Sequence, residues 1–369
     1  MKPGPRFLSF GVIVAVLLTI GCGRNANPIS AAAATTITST GSGTITITGS
    51  GTMTSSGSGT QGYSPTPGIS ASTLYVVQND PTTGASSVLE LPASGQGTTT
   101  PGATFGQEVV TPTATLLPPV NTTFELVAVD ASGNIYVGAQ TTAPSPGSEI
   151  LIYAPGATGA APPVRAITGL QSLSDIAVDT AEQIYVLETD PTSAAGSISV
   201  FAAGATGAAT PARNISGSLT TMVRATAIAV DAADTVYVAN SSWRNILVFS
   251  SNATGNIAPS SVIAGPPGGV LDLVGVAVDP AGDIFATTSS EMFEFAAGAN
   301  GTVWPSWEWT VGAPFAGVAI DNAGNIYAVG TLNGSPDVNV YPPTSGLGGW
   351  QTVSSSAWTG SQYRQIAVY

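Results

Sequence analysis

The chain has 369 residues, with 44 glycines, 27 prolines and only 8% charged side chains, which suits many short strands and tight turns rather than long amphipathic helices. Its formal net charge of −13 repels phosphate backbones and anionic bilayer surfaces, so nucleic acid is not an expected partner. Histidine is absent, which excludes Ser-His-Asp triads, Cys-His pairs and His-ligated metals within the chain, and the lone cysteine, Cys22, has no internal disulfide partner.

The N-terminus reads as an address. Lys2 and Arg6 precede an apolar run, Phe7–Ile20, too short to span a bilayer comfortably, and Gly21-Cys22 follows. Residues 1–21 are therefore expected to be a signal peptide. The pattern resembles the bacterial lipoprotein signal, although Thr19 stands where that signal usually has leucine. The resemblance implies acylation of Cys22, a location outside the cytoplasm, and membrane contact only through that lipid. Loss of residues 1–21 removes two of the 8 basic residues and none of the 21 acidic ones, leaving a mature charge of −15. Residues 22–69 are dominated by Gly, Ser, Thr and Ala and are expected to be a flexible tether, with too few large apolar side chains to bury a core.

Residues 70–369 repeat one unit. Its first half is an Ile-Ala-Val-Asp run: Leu126–Asp130, Ile176–Asp179, Ile228–Asp231, Val276–Asp279, Val318–Asp321 and, at the end of the chain, Ile366–Tyr369. Its second half is an Ile-Tyr-Val run beginning at Leu74, Ile135, Ile184, Val236, Ile284 and Ile326. The last first-half has no second half after it, and the first second-half has nothing before it, so the two orphans complete one another. Successive aspartates lie 49, 52, 48 and 42 residues apart, the size of a four-stranded propeller blade. The sequence thus predicts an all-β, six-bladed propeller closed by the C-terminal strand pairing with the first strands of the domain, which removes open sheet edges.

Within each blade the Ile-Ala-Val run is strand A, nearest the axis, where a small residue (Ala128, Ala177, Ala229, Ala277, Ala319, Ala367) suits the convergence of blades. The Ile-Tyr-Val run is strand B. Strand C is Val88–Leu91, Leu151–Tyr153, Ile198–Phe201, Ile246–Phe249, Met292–Phe295 and Val338–Tyr341. Strand D follows a Gly-rich turn such as Gly204–Gly207 and often a proline (Pro211, Pro259, Pro305), which fits an outer edge. These units resemble NHL-repeat propellers and the wider gluconolactonase-like (senescence-marker) six-bladed propellers. The resemblance implies the fold without fixing a function, and this chain lacks the basic residues some NHL proteins set between strands B and C.

Function is expected on the rim bearing the B–C loops and D–A connections, because those segments vary while the A–B and C–D turns do not. Acidic residues there (Asp80, Glu149, Glu188, Asp190, Glu291, Asp337) read as a solvated rim or as the mouth of a site, and Trp243-Arg244 has the composition of an interaction hot spot. The turn aspartates Asp130, Asp179, Asp231, Asp279 and Asp321 could suit calcium but fit turn formation better, with Gly133, Gly282 and Gly324 supplying positive φ. Trp304, Trp307 and Trp309 are expected to pack between blades. The sequence favours a monomeric, non-catalytic binding or scaffold protein taking an unknown protein or carbohydrate, with no cofactor. Alternatives are a metal-dependent hydrolase or lactonase, as the gluconolactonase-like resemblance implies, and a purely structural envelope protein.

Overall fold

The computed structural model describes residues 36–40, 44–49, 51–55, 73–80, 83–92, 107–110, 112–143, 146–265, 272–310, 314–332, 335–341, 351–355 and 362–368. Residues 1–21, read above as a signal peptide, and Cys22 lie outside them. The chain divides into two units, Met1–Ser64 and Pro65–Tyr369. In the first unit, within the stretch read as a tether, Thr36–Thr40, Thr44–Gly49 and Gly51–Ser55 form an antiparallel meander with Thr36 opposite Thr48 and Ile45 opposite Ser55. Thr and Ile recur there often enough to favour extended backbone.

The second unit is a six-bladed β-propeller with four-stranded antiparallel blades. The first blade runs, from the axis outward, Gln362–Val368, Thr73–Asn79, Ser86–Pro92 and Ala114–Leu116. The second is Thr122–Val129, Ile135–Thr141, Gly147–Tyr153 and Arg165–Leu170. The third is Leu173–Val178, Ile184–Thr189, Gly196–Phe201 and Arg213–Ser216. The fourth is Ala225–Val230, Val236–Asn240, Asn245–Phe249 and Ser261–Ile263. The fifth is Gly275–Val278, Ile284–Thr287, Glu291–Phe295 and Trp307–Thr310. The sixth is Phe315–Ile320, Ile326–Leu332, Ser335–Tyr341 and Gln351–Ser355. The A strands contact one another in a closed ring.

Both faces of strand B are buried, which explains its unbroken apolar run. In the third blade Ile184 and Val186 face the second blade while Tyr185 and Leu187 face the fourth. The core is accordingly six apolar layers, one between each pair of neighbouring blades.

Closure follows the expected offset. The C-terminal strand pairs antiparallel with Thr73–Asn79, from Gln362 opposite Asn79 to Val368 opposite Leu74. A second closing element was not foreseen. Gln107–Val110, in the long C–D segment of the first blade, pairs in parallel with the outer strand of the sixth, Thr352 opposite Gln107. The same device recurs in shorter form around the ring. A glycine of each Gly-Ala-Thr-Gly-like turn bridges strand D of the preceding blade: Gly159 to Leu116, Gly207 to Ile167, Gly255 to Ile215 and Gly301 to Ile263. Gly207 donates its N–H to the Ala166 carbonyl at 2.6 Å and accepts from the Thr168 N–H at 2.9 Å. The turn glycines sit at positive φ (Gly204 79°, Gly207 65°), where any Cβ would be strained.

Candidate functional site

The turn aspartates are committed to the fold. Asp321 Oδ1 accepts the Ala323 and Asn325 N–H groups at 2.9 and 2.8 Å. Its Oδ2 accepts the Asn325 amide at 2.8 Å and the Tyr327 hydroxyl at 2.9 Å. Asp130 repeats all four bonds with Ser132, Asn134 and Tyr136, and Asp179 does so with Ala181, Gln183 and Tyr185. These oxygens serve internal donors, which is the role that turn formation requires of them. It also explains the Tyr of strand B, whose hydroxyl needs an acceptor when buried; burial pushes Tyr185 and Tyr237 up to about 12. Gly133, Gly282 and Gly324 take positive φ as expected, while Glu182 (59°) and Asp234 (60°) hold that place in the third and fourth blades. Replacing Asp321 with Ala leaves the buried Tyr327 hydroxyl and Asn325 amide without their acceptor, and is expected to cost about 2–4 kcal/mol in chemical denaturation.

On the variable rim the structure separates the candidates. Trp243 ends a single 3₁₀ turn, Ser241–Trp243, and is 65% exposed. Arg244 follows at φ 54° with its N–H on the Ser241 carbonyl at 3.2 Å. Asp190 lies in the B–C turn of the neighbouring third blade. Its Oδ1 accepts the Thr192 and Ser193 N–H groups at 2.8 and 2.7 Å, bonds from Ser193 and then Thr192 that hold its pKa low. Both turns flank one D–A segment: Arg224 donates to the Ala194 carbonyl at 2.9 Å, and Ser241 donates to the Arg224 carbonyl at 3.3 Å. Trp243 and Asp190 therefore border the same strip of backbone.

Glu188 and Asp337 are corrections: neither belongs to an exposed rim. Glu188 is 8% exposed, its Oε1 accepts the Gln171 N–H at 2.7 Å, and its Oε2 accepts the Ser199 hydroxyl at 3.2 Å. It anchors the third blade's D–A connection. Asn240 does the same in the fourth, accepting the Val223 N–H at 2.8 Å and donating to the Thr221 carbonyl at 3.2 Å. Sequence reading missed Asn240, although it occupies the same place after the Ile-Tyr-Val run as Glu188. Asp337 is 3% exposed, its Oδ1 has no hydrogen-bond partner among the described residues, and burial raises its pKa to about 6. Two tryptophans of the fifth blade also depart from expectation: Trp304, before strand D, is 74% exposed, and Trp307, on that outer-edge strand, is 41% exposed, while the side chain of Trp309 lies outside the described residues. Among the described residues, no group of three or more Asp, Glu or Cys side chains converges as a metal site.

The axis holds a polar group that sequence reading also missed. Where strand A begins its apolar run, a bulge precedes one residue in five of the six blades: Leu126, Asp175, Ala227 and Gly317, with Gln365 on the closing strand. Asp175 is 6% exposed and its carboxylate accepts the Ile176 and Ile228 N–H groups, both at 2.8 Å. Gln365 donates its amide N–H to Asp175 and accepts the Val127 N–H at 2.7 Å.

No family model matches the chain, and no curated protein matches it by sequence. Solved structures show a weak similarity to it. A protein of unknown function from Bacteroides caccae has a TM-score of 0.49 at 8% identity, over 81% of this chain and 99% of its own. A functionally unknown protein from Desulfotomaculum acetoxidans scores 0.48 at 10% identity, over 87% and 98%. A candidate 6-phosphogluconolactonase from Bacteroides uniformis scores 0.43 at 14% identity, over 76% and 81%. At these values none of the three speaks to a ligand or a reaction of this chain.

Proposed function

We propose that the propeller is a non-catalytic binding or scaffold domain, displayed outside the cytoplasm on the N-terminal segment and held to a membrane through lipidated Cys22. The ligand face is the rim of the third and fourth blades around Trp243. The observation that carries this reading is the exposure of Trp243 (65%) on a short turn whose neighbours are tied down by backbone bonds. A large aromatic surface held without much mobility loses little conformational entropy on binding. The partner is a protein or carbohydrate rather than a polyanion, since 21 acidic residues face 8 basic ones.

The test is a thermal melt of the full chain against a panel of neutral glycans and lactones, and against calcium with and without EDTA, beside pull-downs from envelope extracts. A ligand at a hundred times its dissociation constant adds about 2.7 kcal/mol to stability. A glycan or protein ligand should bind the wild type and be lost in Trp243→Ala. That variant should leave the unliganded melt within about 0.5 kcal/mol, as an exposed side chain contributes little to folding. Binding that survives Trp243→Ala would move the site elsewhere, and a calcium shift reversed by EDTA together with lactone turnover would replace the binding role with a hydrolase.

A further inference from the structure

Strand A is the inner edge of every blade, so alternate backbone amides point away from strand B toward the axis. In the second blade the Asp130 N–H bonds to strand B through the Asn134 carbonyl. By the period of two, Val127 then points to the axis, and its N–H is indeed taken by Gln365 Oε1. The Ile176 and Ile228 N–H groups are taken by Asp175. One chain of bonds therefore runs Val127–Gln365–Asp175–Ile228. It joins the first, second, third and fourth blades, and its second member, Gln365, lies on the strand that closes the ring.

The polarity of this chain is fixed at both ends. Val127 requires an acceptor, which sets the Gln365 amide oxygen toward it and the amide nitrogen toward Asp175. The carboxylate then receives three N–H donors and offers none, an arrangement that only its ionised form satisfies. A proton on Asp175 needs an acceptor. The Gln365 oxygen can serve only if the amide turns over, and the amide nitrogen then confronts the Val127 N–H, donor against donor.

We propose that this carboxylate–amide pair is a pH-responsive switch in the ring: ionised Asp175 holds Gln365 on Val127, and protonation turns the Gln365 amide over and releases Val127 from the closing strand. Burial raises the Asp175 pKa to about 7, against the three donors, which lower it. The titratable groups on the packed elements are engaged elsewhere or set apart in sequence. Glu188 is bonded to Gln171 and Ser199, and the Tyr136 and Tyr185 hydroxyls are bonded to Asp130 and Asp179. Glu125 and Arg364 occupy the bulges of the second and first blades, and Arg224 precedes strand A of the fourth. None of these charges contributes to the Asp175 shift, which burial and the three N–H donors account for.

The test follows amide hydrogen exchange in the full-length protein from about pH 8 to about pH 5.5, corrected for intrinsic rates. The Val127 amide should lose protection about tenfold or more with a midpoint near 7, while Ile228 stays protected. In Gln365→Met the Val127 amide should exchange fast at every pH. In Asp175→Asn, whose amide mimics the protonated acid toward Gln365, it should also be fast throughout. Unchanged Val127 protection across the range would overturn the switch, as would a loss shared by amides all round the ring, or a Val127 response that persists in Gln365→Met. Should Asp175→Asn fail to fold, the wild-type and Gln365→Met profiles decide the matter between them.

Discussion

Deletion of Gln362–Tyr369 will abolish the cooperative melt of the propeller. The strand supplies the inner edge of the first blade and touches two apolar layers at once. Ile366 (4% exposed) belongs to the layer shared with the sixth blade, and Ala367 (8%) to the layer shared with the second. Without it, Leu74, Val76 and Tyr75 lose their cover on one side. At about 1.5–3 kcal/mol for each large side chain returned to water, a few of them exhaust the 5–15 kcal/mol that typically separates folded from unfolded chains. The milder variant Ile366→Ala should cost about 2–5 kcal/mol. A circular permutant that joins residue 369 to residue 73 by a short turn, and opens the chain in the Asp231–Asp234 turn, should keep a cooperative melt, lowered only by what the opened turn contributes. It restores an ordinary A–B hairpin in the first blade, since Val368 already lies opposite Leu74. A truncated chain that still melts sharply near the wild-type midpoint would show that the ring does not depend on this strand.

Acidification from about pH 8 to about pH 5.5 will raise the melting temperature, the reverse of common acid denaturation. Burial raises the pKa of Asp175 to about 7 and of Asp337 to about 6, and also raises those of Glu149 and Glu294. Through this window Asp175 and Asp337 bind protons in the folded chain that they do not bind in the unfolded one. Stability therefore falls as pH rises from the unfolded value toward the folded one and is lowest above about 7. For Asp175 alone, a rise from 3.8 to about 7 at roughly 1.4 kcal/mol per pH unit corresponds to about 4 kcal/mol. Asp190 acts in the opposite sense, but its pKa is held low, so its contribution is lost only below the usual carboxylate range. Asp175→Asn should flatten the profile. A wild-type midpoint that falls steadily across this range would contradict the burial of these carboxylates.

The blades, their strand order and the offset closure were legible because each copy repeats an apolar run of the same length with an aspartate and a turn at the same place. The seam bridges were not. Gly207 reads as a turn former, and its bonds to Ala166 and Thr168 join residues about 40 positions apart with no pattern of their own. Gln107–Val110 escaped for the same reason, having no counterpart strand in the other blades. Asp175 and Gln365 could have been found. They precede the Ile-Ala-Val run by one residue, where the other blades carry Leu, Ala or Gly, and a polar side chain at a position otherwise apolar or small needs a buried partner. Glu188 and Asp337 were misplaced because strand ends were read as loops, whereas the strands extend far enough to bury them. Trp307 was misjudged by the reverse error, with aromatic content on an edge strand taken as packing.

The chain enters the ring through Thr73–Asn79, a strand of seven residues held by the C-terminal strand on one side and by Ser86–Pro92 on the other. This has a mechanical consequence. Tension applied at Thr73 along the strand loads both ladders in shear, so their hydrogen bonds resist together instead of parting one by one as an edge strand peels. A domain pulled between whatever grips its loops and whatever holds its leading segment would then yield at high force and over a short extension.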